Sequence, residues 1–351
     1  MTIDDLTKHA GEWLRGGPLG EIVISSRVRL ARNMAGYPFL SKASEAQRGE
    51  IEETLGARIS STSLGHQTFY VNIARMSELD RQVLVERHLI SRQHADAEGS
   101  RGVVVSTTEQ VALMINEEDH LRLQVLRGGF QLEEAWGEID RIDTLLGERI
   151  AYAFHPRLGY LTACPTNVGT GIRVSVMLHL PALKLTNELE KVMRAARDMH
   201  LAVRGLYGEG TEAIGDFYQI SNQTTLGKSE EEIIAEFKDR VIPRIVEYER
   251  LARETLVREK PVALDDKICR AYGLLEHARA VSSEETLFLL SHLRMGVTLG
   301  RIDRLDLETL NRLFLLTQPG HLQKLHGSSL DGEQRSIARA EYIRRTLVRE
   351  N

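Results

Sequence analysis

The sequence lacks several features that mark specialised classes of protein. Its 351 residues include only two cysteines, Cys164 and Cys269, so neither a disulfide framework nor a Cys-x-x-Cys pair for zinc or redox chemistry is available. No apolar run approaches the roughly 18 residues that a membrane-spanning helix needs. The opening segment MTIDDLTKHAGEW has neither a basic flank nor an apolar stretch, which argues against a secretory signal peptide.

Charge of one sign is also scarce. The chain carries 45 Lys and Arg against 50 Asp and Glu, a net charge of −5. This balance disfavours a nucleic-acid coat or a polybasic membrane surface, although local basic clusters are compatible with it. With 42% apolar and 27% charged residues, the composition is that of a globular chain. We expect a cytoplasmic protein of two domains, without direct nucleic-acid or membrane partners.

The pattern of residues changes near position 228. Before it, short β-rich runs predict consecutive antiparallel strands over 103–106, 111–116 and 121–126, and another strand over 172–180. Helical spacing predicts helices over 131–150 and 187–199, the second with Asn187 as its N-cap. We therefore predict an α+β domain over residues 1–227.

After residue 228 the pattern is almost purely helical. Ser229 with Glu232 forms a capping-box pattern, and Pro243 should kink or interrupt the helix that follows. Ser282 with Glu285 is a second such pattern, and amphipathic stretches cover 306–317 and 333–349. Residues 228–351 are therefore predicted to form an all-α domain.

Four segments of the α+β part carry residues suited to chemistry. Residues 24–32, ISSRVRLAR, place Arg27 and Arg29 on one face of a strand, where two guanidinium forks suit a polyphosphate. Residues 115–122, INEEDHLR, place three acids and an arginine between two apolar strands. Residues 162–173, TACPTNVGTGIR, form a glycine-bearing loop with Cys164, and residues 204–210, RGLYGEG, form a glycine-rich turn.

Other catalytic motifs are absent from the sequence. There is no HExxH, no paired Cys–His metal spacing and no G-x-S-x-G, so no protein-borne metal site is predicted. Residues 222–229, NQTTLGKS, resemble a phosphate-binding loop. However, Asn222 replaces the first glycine and no parallel βαβ unit surrounds the segment. Ser229 is better explained as a helix cap.

In this order, the four segments resemble the catalytic domain of the phosphagen (guanidino) kinase family. The resemblance covers about residues 20–228 and implies an eight-stranded, mostly antiparallel sheet flanked by helices. It also implies transfer of the ATP γ-phosphoryl group to a guanidino nitrogen, with Mg²⁺ as the metal cofactor. Only 24 residues precede the first motif, whereas more than 120 helical residues follow the fourth. That arrangement, with the segment ERHLIS over 86–91, is similar to the bacterial protein-arginine kinase subgroup of that family.

The resemblance implies a role for each matching residue. Glu118 and Glu209 would orient and deprotonate the guanidinium, and Cys164 would lie beside the reacting nitrogen. Nucleotide binding is implied for a larger set, of which the arginines would surround the phosphates and His88 would lie near the adenine. This set is Ser25, Ser26, Arg27, Val28, Arg29, His88, Arg122, Arg173, Val174, Ser175, Val176, Met177, Arg204, Gly205, Leu206, Tyr207, Gly208 and Glu209.

The C-terminal domain of that subgroup carries an R-D-x-x-R-A motif that binds phosphoarginine. Here residues 335–340 read RSIARA, so Arg335, Arg339 and Ala340 match, while Ser336 replaces the aspartate. These four residues are therefore a candidate phosphoarginine site. The alternative is a surface helix with basic residues at one-turn spacing.

Three functions stay open at this point. The first is a protein-arginine kinase that marks proteins for degradation or inactivates a stress-response repressor. The second is a kinase of a free guanidino metabolite, and the third is a non-catalytic scaffold that uses the helical domain. For the first, the family implies substrates with exposed arginines, a homo-oligomer, an McsA-type activator and the ClpC–ClpP protease as partners.

Overall fold

The computed structural model describes residues 3–7, 9–205 and 214–349. An eight-stranded sheet is built from strands whose pairs are all antiparallel. A separate hairpin of two short strands, Phe154–His155 and Gly159–Tyr160, lies outside this sheet. The strands are β1 (Val23–Arg32), β2 (Thr68–Asn72), β3 (Gly102–Ser106), β4 (Val111–Ile115), β5 (Leu121–Gly128), β6 (Phe154–His155), β7 (Gly159–Tyr160), β8 (Ile172–His179), β9 (Leu201–Arg204) and β10 (Phe217–Asn222).

Helices flank the sheet and make up the C-terminal part of the chain. They are α1 (Ile3–Leu6), α2 (Glu45–Ser60), α3 (Glu78–Glu86), α4 (Arg92–Asp96), α5 (Leu132–Gly147), α6 (Pro181–Leu185), α7 (Leu189–Asp198), α8 (Glu230–Glu236), α9 (Ile242–Glu259), α10 (Pro261–His277), α11 (Ser283–Thr298), α12 (Leu307–Leu316), α13 (Pro319–His326) and α14 (Gly332–Arg349). The predicted α+β fold, with an antiparallel sheet followed by helices, is confirmed. The boundary at 227/228 stays a prediction.

The strand order β2-β3-β4-β5-β1-β8-β10-β9 puts β1 at the centre of the sheet. Alternation along β1 directs Val28 and Leu30 into the main core, where both are fully buried. Arg27 and Arg29 therefore point to the opposite face. Because β1 is paired on both sides, its side chains are held in a fixed register against β5 and β8.

Two predictions about the second half of the chain are confirmed. Ser229 and Glu232 form the reciprocal capping box of α8. The helix then passes through a π-helical segment, Phe237–Val241, which ends two residues before Pro243. Proline lacks an N–H and clashes with the carbonyl four residues earlier, so the regular hydrogen-bond ladder is interrupted there.

The predicted N-cap at Asn187 is wrong. The preceding short helix α6 ends at Leu185, and Asn187 has a φ of 62°, in the left-handed region. Asparagine tolerates that conformation, which ends one helix rather than starting the next. Helix α7 begins two residues later, with Glu188 at the N-cap position and no side-chain capping bond.

The helical part packs directly on the sheet. His179 of β8 bonds through Nε2 to the hydroxyl of Ser291 on α11 at 2.9 Å, and that hydroxyl donates to Asp216 at 3.0 Å. Gly215 lies so close to α11 that a Cβ atom there would be 2.7 Å from the carbonyl oxygen of Leu287. No helix among the described residues is long and apolar enough to cross a membrane.

Candidate active site

Arginines from four strands converge on one cavity of about 440 Å³. Arg27 and Arg29 come from β1, and Arg29 is directly paired with Arg173 of β8. Arg122 lies on β5, on the other side of β1, and Arg204 ends β9. The sequence predicted that these five side chains share a site, and the structure brings all five to the lining of this cavity.

The arginine cluster is electrostatically costly without an anion. Burial, with further repulsion from Arg173, Arg122 and Arg204, lowers the pKa of Arg27 to about 10. Burial also lowers the pKa of Arg29 well below its ordinary value. Within the described residues, no hydrogen-bond partner reaches the buried Nε atom of Arg29. Guanidinium groups held in this way are suited to the oxygens of a polyphosphate.

Two glutamates in the turn between β4 and β5 hold Arg122. Its Nη1 atom lies 2.6 Å from Oε2 of Glu117, and its Nη2 atom donates to Oε2 of Glu118 at 2.9 Å. Burial would raise the pKa of Glu117, but Arg122 and a hydrogen bond from Ser91 outweigh it and lower that pKa. Glu117 is buried, whereas the side chain of Glu118 stays 34% exposed and lines the cavity. Glu118 is therefore the carboxylate that a substrate can reach.

The same turn is bonded to the loop that carries Cys164. Oδ1 of Asp119 accepts hydrogen bonds at 2.6 Å from the N–H of Ala163 and from the side chain of Asn33. Asn33 also donates to the carbonyl of Leu161 at 3.0 Å. Cys164 follows directly and lines the cavity with Glu118. A buried polar network thus connects the segments that carry two of the three predicted catalytic residues, Glu118 and Cys164.

A smaller cavity adjoins the first and shares Arg27, His88 and Gln219 with it. Ser25, Ser175 and Met177, three of the predicted nucleotide residues, line this second cavity. Trp13 and Phe314 complete its apolar wall, and the ring of Trp13 meets that of His88 edge-on at 5.3 Å. Burial, together with Arg27 and Arg92, lowers the pKa of His88 to about 3, so its ring is neutral at pH 7.

Other predicted nucleotide residues do not reach either cavity with their side chains. Val28, Val174 and Val176 belong to the main hydrophobic core, and the Ser26 hydroxyl bonds to the backbone of Gly129 at 2.9 Å. Gly205 is buried in an isolated bridge after β9. Four predicted residues lie outside the described part of the chain: Leu206, Tyr207, Gly208 and Glu209.

The C-terminal motif, residues 335–340, lies on α14 and contributes no residue to the lining of the cavity. The Arg339 side chain is 2% exposed and donates from Nε to the carbonyl of Thr317 at 2.8 Å and from Nη1 to that of Val281 at 3.0 Å. Ala340 is buried, and the Ser336 hydroxyl donates to its own helix. Arg335 is half-buried and bonds the carbonyl of Leu330 at 2.6 Å. Arg339 thus has a structural role in this conformation, and phosphoarginine binding stays a prediction.

Several cavity residues were missed from the sequence. Glu117 is part of the acidic block, but nothing local distinguishes its buried carboxylate from the accessible one of Glu118. Trp13, Gln219 and Phe314 come from distant parts of the chain, so no motif links them. Only the alternating or helical spacing of apolar residues around them could have indicated that their side chains point into the protein.

The cavity fits a nucleotide by size and charge. Its volume lies within the roughly 300–1,000 Å³ of small-molecule sites, and its lining contains six arginines against two glutamates. No group of three His, Cys, Asp or Glu side chains in residues 3–7, 9–205 and 214–349 could hold a metal ion. A metal bound here would therefore rely on the phosphates of the nucleotide for part of its coordination.

Comparison with protein families gives the same assignment as the geometry. The model of the ATP:guanido phosphotransferase C-terminal catalytic domain matches residues 50–252. The chain belongs to the ATP:guanido phosphotransferase family. A second model, the C-terminal domain of the protein-arginine kinase McsB, matches residues 261–351. Within its family the chain thus belongs with the protein-arginine kinases, and it is an ATP-dependent guanidino phosphotransferase.

Proteins that match nearly the whole chain are also named protein-arginine kinases. The chain is 46% identical over 350 residues to a protein-arginine kinase of Halothermothrix orenii, covering 99% of both chains. It is 44% identical to that of Symbiobacterium thermophilum, covering 97% of this chain and 98% of the relative.

Among solved structures, the fold is similar to that of lombricine kinase, with a TM-score of 0.59 and 28% identity over 68% of this chain and 69% of the other. It also resembles the duplicated taurocyamine kinase of Schistosoma mansoni, with a TM-score of 0.61 and 26% identity over 76% of this chain and 42% of the other.

Proposed function

We propose that this chain transfers the γ-phosphoryl group of ATP to arginine side chains of proteins. The observation that carries the proposal is the position of Glu118. Its partly exposed carboxylate lies in the cavity that holds the arginine cluster, and a bonded network connects its turn to the loop of Cys164. The full-length relatives named as protein-arginine kinases support proteins, rather than a free metabolite, as the substrate class.

The arginines act on the phosphate side of the reaction. Phosphoryl transfer depends mainly on positioning and on neutralising charge that spreads over the phosphate oxygens. Arg27, Arg29 and Arg173 lie on adjacent paired strands, so their spacing is set before the nucleotide binds. We propose Mg²⁺ as the metal that ATP brings, and it would supply additional charge neutralisation between the phosphates.

Glu118 acts on the nucleophile. A guanidinium has a pKa above about 12, so its nitrogen attacks phosphorus only when a proton is removed. Arg122 engages Oε2 of Glu118, which leaves Oε1 for the substrate guanidinium. A new N–P bond forms as the bond from phosphorus to the β–γ bridging oxygen breaks, the nitrogen proton passes to Glu118, and ADP leaves. Glu209 is proposed as the second carboxylate from the family resemblance alone.

The cellular role is part of the same proposal. Phosphorylation of exposed arginines would mark proteins for regulated degradation or inactivate a stress-response repressor. An McsA-type activator, the ClpC–ClpP protease and a homo-oligomeric assembly are the proposed partners. The match of residues 261–351 to the McsB C-terminal domain supports this context.

The decisive experiment offers the purified chain three substrates together with ATP and Mg²⁺. These are an arginine-rich protein, the same protein with every arginine changed to lysine, and free arginine. We expect acid-labile phosphoarginine, detected by mass spectrometry under neutral conditions, in the first sample alone. Turnover of free arginine at a comparable rate would favour a metabolite kinase. No turnover with any of the three, with or without a co-expressed activator, would favour a scaffold.

A further inference from the structure

Helix α13 of the C-terminal part is bonded to the end of helix α3, next to the nucleotide cavity. The Glu86 carboxylate accepts hydrogen bonds from the N–H of Gly320 at 2.7 Å and the N–H of His321 at 3.0 Å. Its Oε2 atom also lies 2.7 Å from Nδ1 of His321. Glu86 is thus held by the first turn of α13, where free N–H groups and the helix dipole favour a negative charge.

The next residue, Arg87, extends this connection. Its fully buried guanidinium bonds Nε2 of His321 at 3.0 Å and the Glu109 carboxylate at 2.5 and 2.6 Å. Arginine has no acceptor, so Nε2 of His321 must accept and its Nδ1 must carry the proton donated to Glu86. One neutral imidazole therefore bridges the two consecutive residues Glu86 and Arg87.

The third consecutive residue is His88, which lines both cavities. Its φ of 58° lies in the left-handed region, which is strained for a non-glycine residue and persists only where the surroundings enforce it. Its carbonyl accepts from Nε2 of Gln124 at 2.6 Å. The bonds of Glu86 and Arg87 to α13 fix the chain immediately before this strained residue.

We propose that His321 is a positioning residue for the nucleotide site, which acts through Glu86 and Arg87 to hold His88 in its binding position. The affinity for the nucleotide is thereby set in part by a helix of the C-terminal part that contributes no residue to the lining of either cavity. This inference rests on the proposed use of the cavity for ATP. It concerns ground-state binding, because no residue of α13 lines the cavity that contains Glu118 and Cys164.

The test is a double-mutant cycle between His321 and His88, measured as the dissociation constant for ADP by calorimetry on the full chain. We expect His321→Ala to weaken ADP binding by roughly 5- to 20-fold. If His321 acts through His88, the double variant His88→Ala/His321→Ala should bind ADP no more weakly than His88→Ala alone. The KM for ATP should rise by a similar factor, while kcat at saturating ATP stays within about twofold.

Two further variants keep the test meaningful if His321→Ala folds poorly. His321→Asn retains a donor toward Glu86, but its shorter side chain places no acceptor at the position of Nε2 beside Arg87, so an intermediate ADP affinity is expected. His326→Ala, on the exposed side of the same helix, is the matched control and should bind ADP as the unmodified chain does. The inference would be overturned if the two substitutions weakened ADP binding by factors that multiply in the double variant. It would also be overturned if His321→Ala left the ADP affinity unchanged or lowered only kcat. An unmodified chain that binds no ADP would overturn the proposed function as well.

Discussion

The carboxylate of Asp119 accepts a hydrogen bond from the backbone N–H of Ala163 at 2.6 Å and so connects the turn of Glu118 to the loop of Cys164. Its second oxygen, Oδ2, is buried with no hydrogen-bond partner among the described residues. Only Oδ1 of Asp119 therefore accepts hydrogen bonds from the described residues. This arrangement gives Asp119 a role in setting the separation of two residues that the reaction needs together.

We therefore expect Asp119→Ala to lower kcat about 100-fold, since small displacements of reacting groups have effects of that size. Asp119→Asn keeps an oxygen that accepts from Ala163, so its kcat should fall by less than about tenfold. Phosphorylation of an arginine-rich protein under saturating ATP measures both. Equal losses in the two variants would show that charge, rather than the bond to Ala163, is what matters.

Glu118→Gln should remove proton acceptance while preserving the shape of the side chain. General-base assistance is worth about 10²–10⁴-fold in rate, so the variant should be close to inactive in the phosphoarginine assay. Its affinity for ADP should change little, because Glu118 faces the guanidino substrate rather than the phosphates. Near-normal turnover by purified Glu118→Gln would refute the assignment.

Arg27→Met should separate stability from function. Burial lowers the pKa of Arg27, and repulsion from three neighbouring arginines lowers it further. Removing the charge relieves the repulsion, so the nucleotide-free protein should unfold about 1–2 °C higher. ADP should then stabilise the variant much less than the unmodified chain. Thermal unfolding with and without ADP measures both effects, and a lower midpoint without nucleotide would contradict the expectation.

His94 should make the stability of the fold depend on pH. Burial is the main cause that lowers its pKa to about 4 in the folded chain, from about 6.5 when unfolded. Below pH 6.5 the unfolded chain takes up a proton that the folded chain does not. The stabilising contribution is therefore full above pH 6.5 and is lost as the pH falls through 4.

Between pH 7.5 and 5.5 this one residue should reduce the free energy of unfolding by about 1.3 kcal/mol. His94→Gln, which keeps a donor toward the carbonyl of Gly102, should reduce the pH dependence by that amount. Urea unfolding at the two pH values checks it. An unchanged pH dependence in the variant would mean that His94 does not contribute.

The two arginines of the C-terminal motif should differ in their effect on stability. Arg339→Ala leaves buried carbonyls of Thr317 and Val281 without a donor, at a cost of about 2–4 kcal/mol. Arg335→Ala removes a hydrogen bond near the surface and should cost about 1 kcal/mol or less. Urea unfolding of both variants tests this, and comparable losses would contradict the structural role given to Arg339.

The arginine face of β1 was predictable because side chains alternate along a strand. That alternation also places Ser26 and Val28 on the core side, so the side chains of these two predicted nucleotide residues line neither cavity. The N-cap predicted at Asn187 is wrong because a short helix ends just before this residue, which adopts the left-handed conformation of the turn that follows.

The parts of the site that were not predicted depend on contacts between distant segments. Trp13 and Phe314 are about 300 residues apart and meet at the same small cavity only because the helical part packs on the sheet. Likewise, the bonds between Glu86 and the first turn of α13 join residues more than 230 positions apart. No local spacing in a single sequence encodes such pairings.

The central position of β1 has a consequence for folding as well as for binding. A slip of β1 by one residue against β5 and β8 would turn Arg27 and Arg29 into the apolar core and expose Val28 and Leu30 in the cavity. Two unpaired buried charges would make that misaligned state far less stable than the correct one. The arginine side chains proposed to bind the anion therefore also disfavour incorrect strand registers in the sheet.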